Sequence, residues 1–124
     1  MRVLLDTHML LWALSSPTKL SKRARRRIDS SEVFASAASI WEVSIKSALG
    51  KLVLDPAEVL AGIEPAGFNH LNIVGEHAAE VVKLPPIHKD PFDRLLLAQA
   101  RAEPMMLLTN DEVLAGYGAF VEVA

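Results

Sequence analysis

Asp6, Glu42, Asp93 and Asp111 are the residues of this sequence whose type and placement bear most directly on chemistry. Asp6 closes the apolar run Val3-Leu-Leu5, and Asp111 lies three residues beyond Leu108, the end of a later apolar run. Glu42 and Asp93 fall in the first turns of two expected helices. In an open parallel α/β sheet, the carboxyl ends of the strands and the helix starts that follow them gather along one edge, where ligands bind. Acids from distant parts of the chain would meet there. Unit charges about 4 Å apart repel by roughly 4 kcal/mol at an effective dielectric of 20, and a bound cation removes that penalty. Hard oxygen ligands suit Mg²⁺ or Mn²⁺, and the chain has no cysteine and no His-x-x-x-His helix to offer instead. Metal held by carboxylates lowers the pKa of bound water and neutralises charge on a phosphoryl group, as phosphodiester hydrolysis requires.

Taken singly, each acid also has a structural role. Ser39-x-x-Glu42 and Thr109-x-x-Glu112 read as capping boxes, and Asp90 reads as an N-cap with Pro91 at the first helical position and Asp93 near the dipole. Glu42 can pair with Lys46 one helical turn on, for a few tenths of a kcal/mol. Only the joint arrangement favours a site.

The elements that must position these acids follow from hydrophobic pattern and punctuation. Residues 2–5 read as a strand, its continuous apolar run Val3-Leu-Leu5 as expected for burial on both faces. Residues 9–14 supply the apolar side of a helix that Ser15-Ser-Pro17 ends, and a basic helix spans 20–29. Residues 32–35 read as a strand. Trp41, Ile45, Ala48, Leu49 and Leu52 then recur at helical spacing over 39–49 and beyond, with Gly50 as the stop. Asp55-Pro56 opens another helix, 71–73 is a weak strand, and a helix follows over 76–83 before Pro85-Pro86 breaks the chain. A strong helix spans 90–102 and precedes a buried strand at 105–108. A short helix at 111–115 and a strand at 121–123 complete the chain. Strands alternating with helices predict an α/β fold with a parallel sheet covered on both faces.

The 124 residues suit one domain over 1–124, and with 51% hydrophobic and 23% charged residues the chain has a globular balance. Short apolar runs argue against a signal peptide or a membrane span, and the lack of cysteine fits a cytoplasmic location. Net charge is −2, yet five of the 13 Lys and Arg cluster as Lys22, Arg23, Arg25, Arg26 and Arg27. That segment is either a solvated helix face or a contact for a phosphate backbone. His8 and His88 flank the acidic motifs, as contacts for phosphates or as ordinary hydrogen-bonded residues, whereas His70 and His77 show no ligand spacing. Trp12 and Trp41 lie on apolar stripes, as core or as subunit interface.

Leu4-Leu-Asp-Thr-His8 with Leu11-Trp12, Ser39-Ile-Trp-Glu42 with Lys46 and Gly50-Lys-Leu52, His88-x-Asp-Pro-Phe-Asp-Arg94 with Ala98-Gln-Ala100, and Thr109-x-Asp111 together resemble the PIN-domain ribonucleases, and more narrowly the VapC-type toxins of toxin–antitoxin pairs. The resemblance runs from residue 3 to about 118. It implies a three-layer α/β/α sandwich around a mainly parallel sheet of four or five strands. It also implies that Asp6, Glu42, Asp93 and Asp111 are the catalytic and metal-binding acids. Thr7 and Thr109 match polar positions that orient a carboxylate or a metal-bound water, and Asp90 fits either an additional acid or a pure N-cap. Lys46 and Arg94 either screen the acids or contact RNA.

The implied activity is a Mg²⁺- or Mn²⁺-dependent endoribonuclease that leaves 5′-phosphate and 3′-hydroxyl ends. The implied partners are an RNA substrate, a cognate antitoxin, operator DNA bound through that antitoxin, and a second copy in a homodimer. Two rivals differ in class. A haloacid-dehalogenase-like phosphohydrolase wants a second Asp two residues after Asp6, where His8 stands. A degenerate PIN fold would serve only as a binding module for RNA or protein, against which stands the presence of all four acids.

Overall fold

The computed structural model describes residues 1–124. β1 (Arg2–Leu5) buries Val3, Leu4 and Leu5 completely, as its uninterrupted apolar run requires. β1 is the middle of five strands, with β2 (Glu32–Ser36), β3 (Asn69–Leu71), β4 (Met106–Thr109) and β5 (Val121–Val123), in the order β3-β2-β1-β4-β5. Every pairing is parallel. Parallel neighbours need crossovers, supplied by α1 (Thr7–Ser15), α2 (Lys22–Asp29), α3 (Ala37–Ala48), α4 (Pro56–Gly62), α5 (Gly75–Glu80) and α6 (Pro91–Ala102). The expected α/β sandwich is therefore found.

Successive strand residues face opposite sides of the sheet and feed two cores. Val3, Leu5 and Val33 pack with Leu10 of α1, Ala24 of α2, Val43 of α3 and Val59 of α4. Leu4 and Leu107 pack on the other face with Leu96, Leu97 and Ala100 of α6. The chain moves outward from β1 through β2 to β3, then returns to lay β4 on the opposite side of β1. A crevice opens where strand order reverses in this way, beyond the carboxyl ends of the strands. β1 and β4 end there, at Leu5 and Thr109, and Asp6 and Asn110 follow them.

Several elements start and stop as their punctuation dictates. Asp55 caps α4 by accepting from Ala57 N at 2.9 Å, and Asp90 caps α6 by accepting from Phe92 N at 2.8 Å and Asp93 N at 3.1 Å. Gly50, just past α3, takes φ 72°, a left-handed conformation that glycine adopts without steric cost.

Other expectations need correction. β3 lies two residues earlier than expected, because its pairing places Asn69 beside Phe34 and Leu71 beside Ser36, a register that polar Asn69 and His70 do not reveal. The helix expected over 76–83 tightens into a 3₁₀ turn at Val81–Lys83. The apolar stripe of α3 is not its buried face. Trp41 is 54% and Leu49 63% exposed, while Ala38, Ser39, Glu42 and Val43 face inward. Trp41 instead meets Phe92 edge-on, with ring centroids 4.9 Å apart. Two of the clustered basic residues fasten α2 to β5: Arg27 Nε lies 2.8 Å and Arg23 Nε 3.3 Å from the buried carboxylate of Glu122. Lys22, Arg25 and Arg26 remain exposed. No helix is long and apolar enough to cross a membrane.

One buried polar chain ties three helices together. Ser36 caps α3 through Ala38 N at 3.0 Å and donates to Gln99 Oε1 of α6 at 2.5 Å. Gln99 Nε2 faces His77 Nδ1 of α5 at 3.3 Å, and His77 Nε2 meets Glu103 at 2.6 Å.

Candidate active site

The acids converge on one cavity of about 250 Å³ at the switch point, and no apolar side chain lines it. Asp6, Glu42, Asp93 and Asp111 all line it, with Thr7, Lys46 and Asp90. His8, His88 and Asn110 complete the wall. Asn110 was not singled out from the sequence; its position between Thr109 and Asp111 is the signal that was available.

Asp6 is held from two directions. Its Oδ1 accepts from Met9 N at 2.8 Å, so it is the N-cap of α1, and its Oδ2 accepts from the buried Thr109 hydroxyl. Its own N–H donates to Leu108 O at 3.0 Å, which locks the end of β1 to β4. Burial pushes the Asp6 carboxyl up, while Thr109, Met9 N–H and His8 pull it down and Glu42 adds repulsion.

Glu42 is buried on α3. The Thr7 hydroxyl lies 2.7 Å from Glu42 Oε1 and 2.9 Å from Ser39 Oγ. With one proton to give, Thr7 donates to the carboxylate and accepts from Ser39. Lys46 Nζ reaches Glu42 Oε2 at 2.5 Å, and that bond, with the charges of Glu42, Asp90 and Asp93, raises the Lys46 pKa against partial desolvation. The capping box expected at Ser39 is absent. Ser36 caps α3, and Ser39 turns inward to meet Thr7, so Glu42 is released from capping. The second capping box fails for a similar reason: Asp111 caps the 3₁₀ turn Glu112–Tyr117 through Val113 N at 3.0 Å, while Thr109 Oγ1 accepts from Asp111 N at 3.0 Å.

Asp93 has one side-chain partner, His88, whose Nε2 lies 2.9 Å from Oδ2. Burial and the neighbouring charge of Asp90 push the Asp93 carboxyl up to about 6, against the pull of His88, with Asp6 and Glu42 adding repulsion. His88, Asp90 and Asp93 bring ligand atoms within 4.8 Å of one another. Arg94 is not brought to the cavity. Its guanidinium points away and donates to the carbonyls of Val81, Leu84 and Pro85 at 3.0 to 3.3 Å.

An oxygen-rich cavity without apolar lining is a poor pocket for an organic ligand and a fitting one for a hard cation. A PIN-domain family model matches residues 3–119. The chain belongs to the PIN-domain family. The PIN domain is also 31% identical over 119 residues to Ribonuclease VapC22 of Mycobacterium tuberculosis, covering 93% of this chain and 91% of that protein. Among solved structures, VapBC2 from Rickettsia felis, bound to a DNA fragment from its promoter, aligns with a TM-score of 0.70 at 12% identity, covering 100% of this chain and 98% of that one. A toxin–antitoxin complex from Klebsiella pneumoniae aligns with a TM-score of 0.65 at 21% identity, covering 98% and 96%. At these identities the two structures establish the fold.

Proposed function

We propose that this PIN domain is an endoribonuclease that depends on Mg²⁺ or Mn²⁺ and acts as the toxin of a toxin–antitoxin pair. The observation that carries the proposal is the meeting of four acids from four separate segments in one wholly polar cavity, where Asp93 is pushed up to about 6. Such repulsion is relieved by a cation, and the donor set is the oxygen-rich kind that hard cations prefer. Similarity to a protein named as a ribonuclease supports the substrate class.

Asp6, Asp93, Glu42 and Asp111 would hold the metal, directly or through water. When bound, it supplies a water of lowered pKa and neutralises charge on the scissile phosphate. Thr109 and Met9 N–H fix the plane of the Asp6 carboxylate, and Thr7 and Lys46 fix that of Glu42. Lys46 leaves a positive charge at the rim, suited to an RNA phosphate. Attack on phosphorus in line with the departing 3′-oxygen leaves 5′-phosphate and 3′-hydroxyl ends.

An antitoxin, a second copy of the chain, and operator DNA reached through the antitoxin are the proposed partners. The exposed Trp41, Leu49 and Leu60 support them, as does an open groove of about 460 Å³ lined in part by Leu11, Leu14, Leu54 and Val59. Purified protein should cleave RNA with added Mn²⁺ and lose that activity in EDTA. Cleavage that survives EDTA, or products ending in 2′,3′-cyclic phosphate, would refute the mechanism.

A further inference from the structure

Residues 81–88 end at His88, which lines the cavity, and contain Pro85 and Pro86, which have no N–H to donate. Arg94 supplies the missing donors. One guanidinium nitrogen lies 3.2 Å from Val81 O and 3.3 Å from Leu84 O, and the other 3.0 Å from Pro85 O and 3.4 Å from His88 O. The second also reaches the Tyr117 hydroxyl at 3.3 Å. Tyr117 is buried at the end of the 3₁₀ turn that Asp111 caps, and its hydroxyl accepts His88 N–H at 2.8 Å. His88, gripped at its backbone by both side chains, directs Nε2 onto Asp93 Oδ2.

The geometry points to Arg94, Tyr117 and His88 as a bracket that positions the Asp93 carboxylate for its cation. This inference rests on the metal-dependent reading of the site. A carboxylate has a broad torsional preference about its last bond, so a fixed donor on one oxygen sets the plane in which the other is presented. Three features make the bracket more than local packing. Arg94 adjoins Asp93 in sequence yet spends its donors on the opposite side. Tyr117 ends the 3₁₀ turn that Asp111 caps, so the hold on His88 is anchored in the element that follows another acid of the cavity. Lysine at position 94 would present a point charge in place of a planar fork and would not span the same carbonyls.

Tyr117→Phe removes only a hydroxyl and is the central test. Titrated with Mn²⁺ alone and followed by calorimetry, Tyr117→Phe and His88→Ala should each bind the metal about 10- to 100-fold more weakly, as loss of supports to metal ligands does. The double variant should be no weaker than His88→Ala alone, because both act through one bond. His88→Gln, which keeps a donor, should recover part of the loss. With RNA as substrate, kcat at subsaturating Mn²⁺ should fall while KM for RNA holds. Unchanged Mn²⁺ affinity in His88→Ala, or a rise in KM alone, would overturn the bracket and leave His88 an RNA contact. If the wild-type protein itself binds no Mn²⁺, the metal-dependent reading fails instead. The bracket is then judged in metal-free protein by the His88 imidazole NMR signals: they should shift in Tyr117→Phe and in Arg94→Lys, and signals that stay put overturn it.

Discussion

The two walls of the cavity are built on opposite plans. On the wall formed by β1 and α3, every carboxylate oxygen has a protein donor: Met9 N–H and Thr109 for Asp6, Thr7 and Lys46 for Glu42. On the wall formed by α6 and the turn after β4, each acid keeps one oxygen without a protein donor. Asp93 uses only Oδ2, while Asp90 and Asp111 use only Oδ1. The first wall is saturated and buried; the second is half-buried and short of positive charge. A buried charge is tolerable when its hydrogen bonds are complete, and an under-donated cluster is where a cation gains most. The site thus sets a fully donated half against a half whose carboxylates keep oxygens without protein donors, which are the oxygens that the proposed function gives to a metal.

The largest expected effect removes an acid from either wall. Asp6→Asn and Asp93→Asn should each lower RNA cleavage by at least about 100-fold, the upper end for residues that merely support ligands. Both variants should keep a wild-type circular dichroism spectrum. Near-normal activity in either would break the assignment of that wall.

Burial pushes Asp6 on the first wall and Asp93 on the second the same way, and the second wall shows what that does to stability as pH changes. Asp93 ionises at about 6 in the folded protein against an ordinary 3.8, so the folded state favours its protonated form. Its contribution to stability is complete below pH 3.8 and is lost as pH rises through about 6. That gap corresponds to roughly 3 kcal/mol. In EDTA, Asp93→Asn should therefore be more stable than wild type by up to about 3 kcal/mol at pH 8, with the gain vanishing near pH 4. Mn²⁺ should reverse the order, stabilising wild type alone. Urea titrations at the two pH values measure it, and a destabilised Asp93→Asn at pH 8 would contradict the picture of an under-donated wall.

The sequence disclosed this division only in part. β1, α6 and the caps at Asp55 and Asp90 were legible because an uninterrupted apolar run and an Asp-Pro pair are local signals. β3 was misplaced because a three-residue edge strand takes its register from its neighbour, Phe34 to Ser36. The orientation of α3 was misjudged for a reason specific to the saturated wall. Ser39 and Glu42 face inward because Thr7, 32 and 35 residues away, satisfies them, and no periodicity within the helix records that. Convergence of the four acids was foreseeable from strand ends and helix starts. The direction of Arg94 and the part played by Tyr117 were not, because both depend on carbonyls in a segment whose path the two prolines set.

Thr109→Val tests the saturated wall at intermediate size. It leaves Asp6 Oδ2 buried without its hydroxyl donor, a loss of about 1 to 3 kcal/mol in denaturant titrations at pH 8. Thr109→Ser should restore most of it. An unchanged midpoint in Thr109→Val would mean that Asp6 does not depend on that donor.

Lys46→Met should have the smallest effect on stability and is informative for that reason. The Lys46 side chain is 36% exposed and bridges to Glu42 from one helical turn away, so solvent screens the pair even though Glu42 itself is buried. Pairs of this kind contribute about 0.3 to 0.5 kcal/mol. Thr7 still donates to Glu42 in the variant, so the saturated wall loses one of its four donors without collapsing. The charge matters more across the cavity, where Lys46 is the cation that faces Asp90 and Asp93. Lys46→Met should therefore leave the denaturation midpoint almost unmoved while raising KM for RNA and steepening the dependence of cleavage on Mn²⁺. A large fall in stability with no change in KM would make Lys46 a structural member of the first wall and not the positive charge lent to the second.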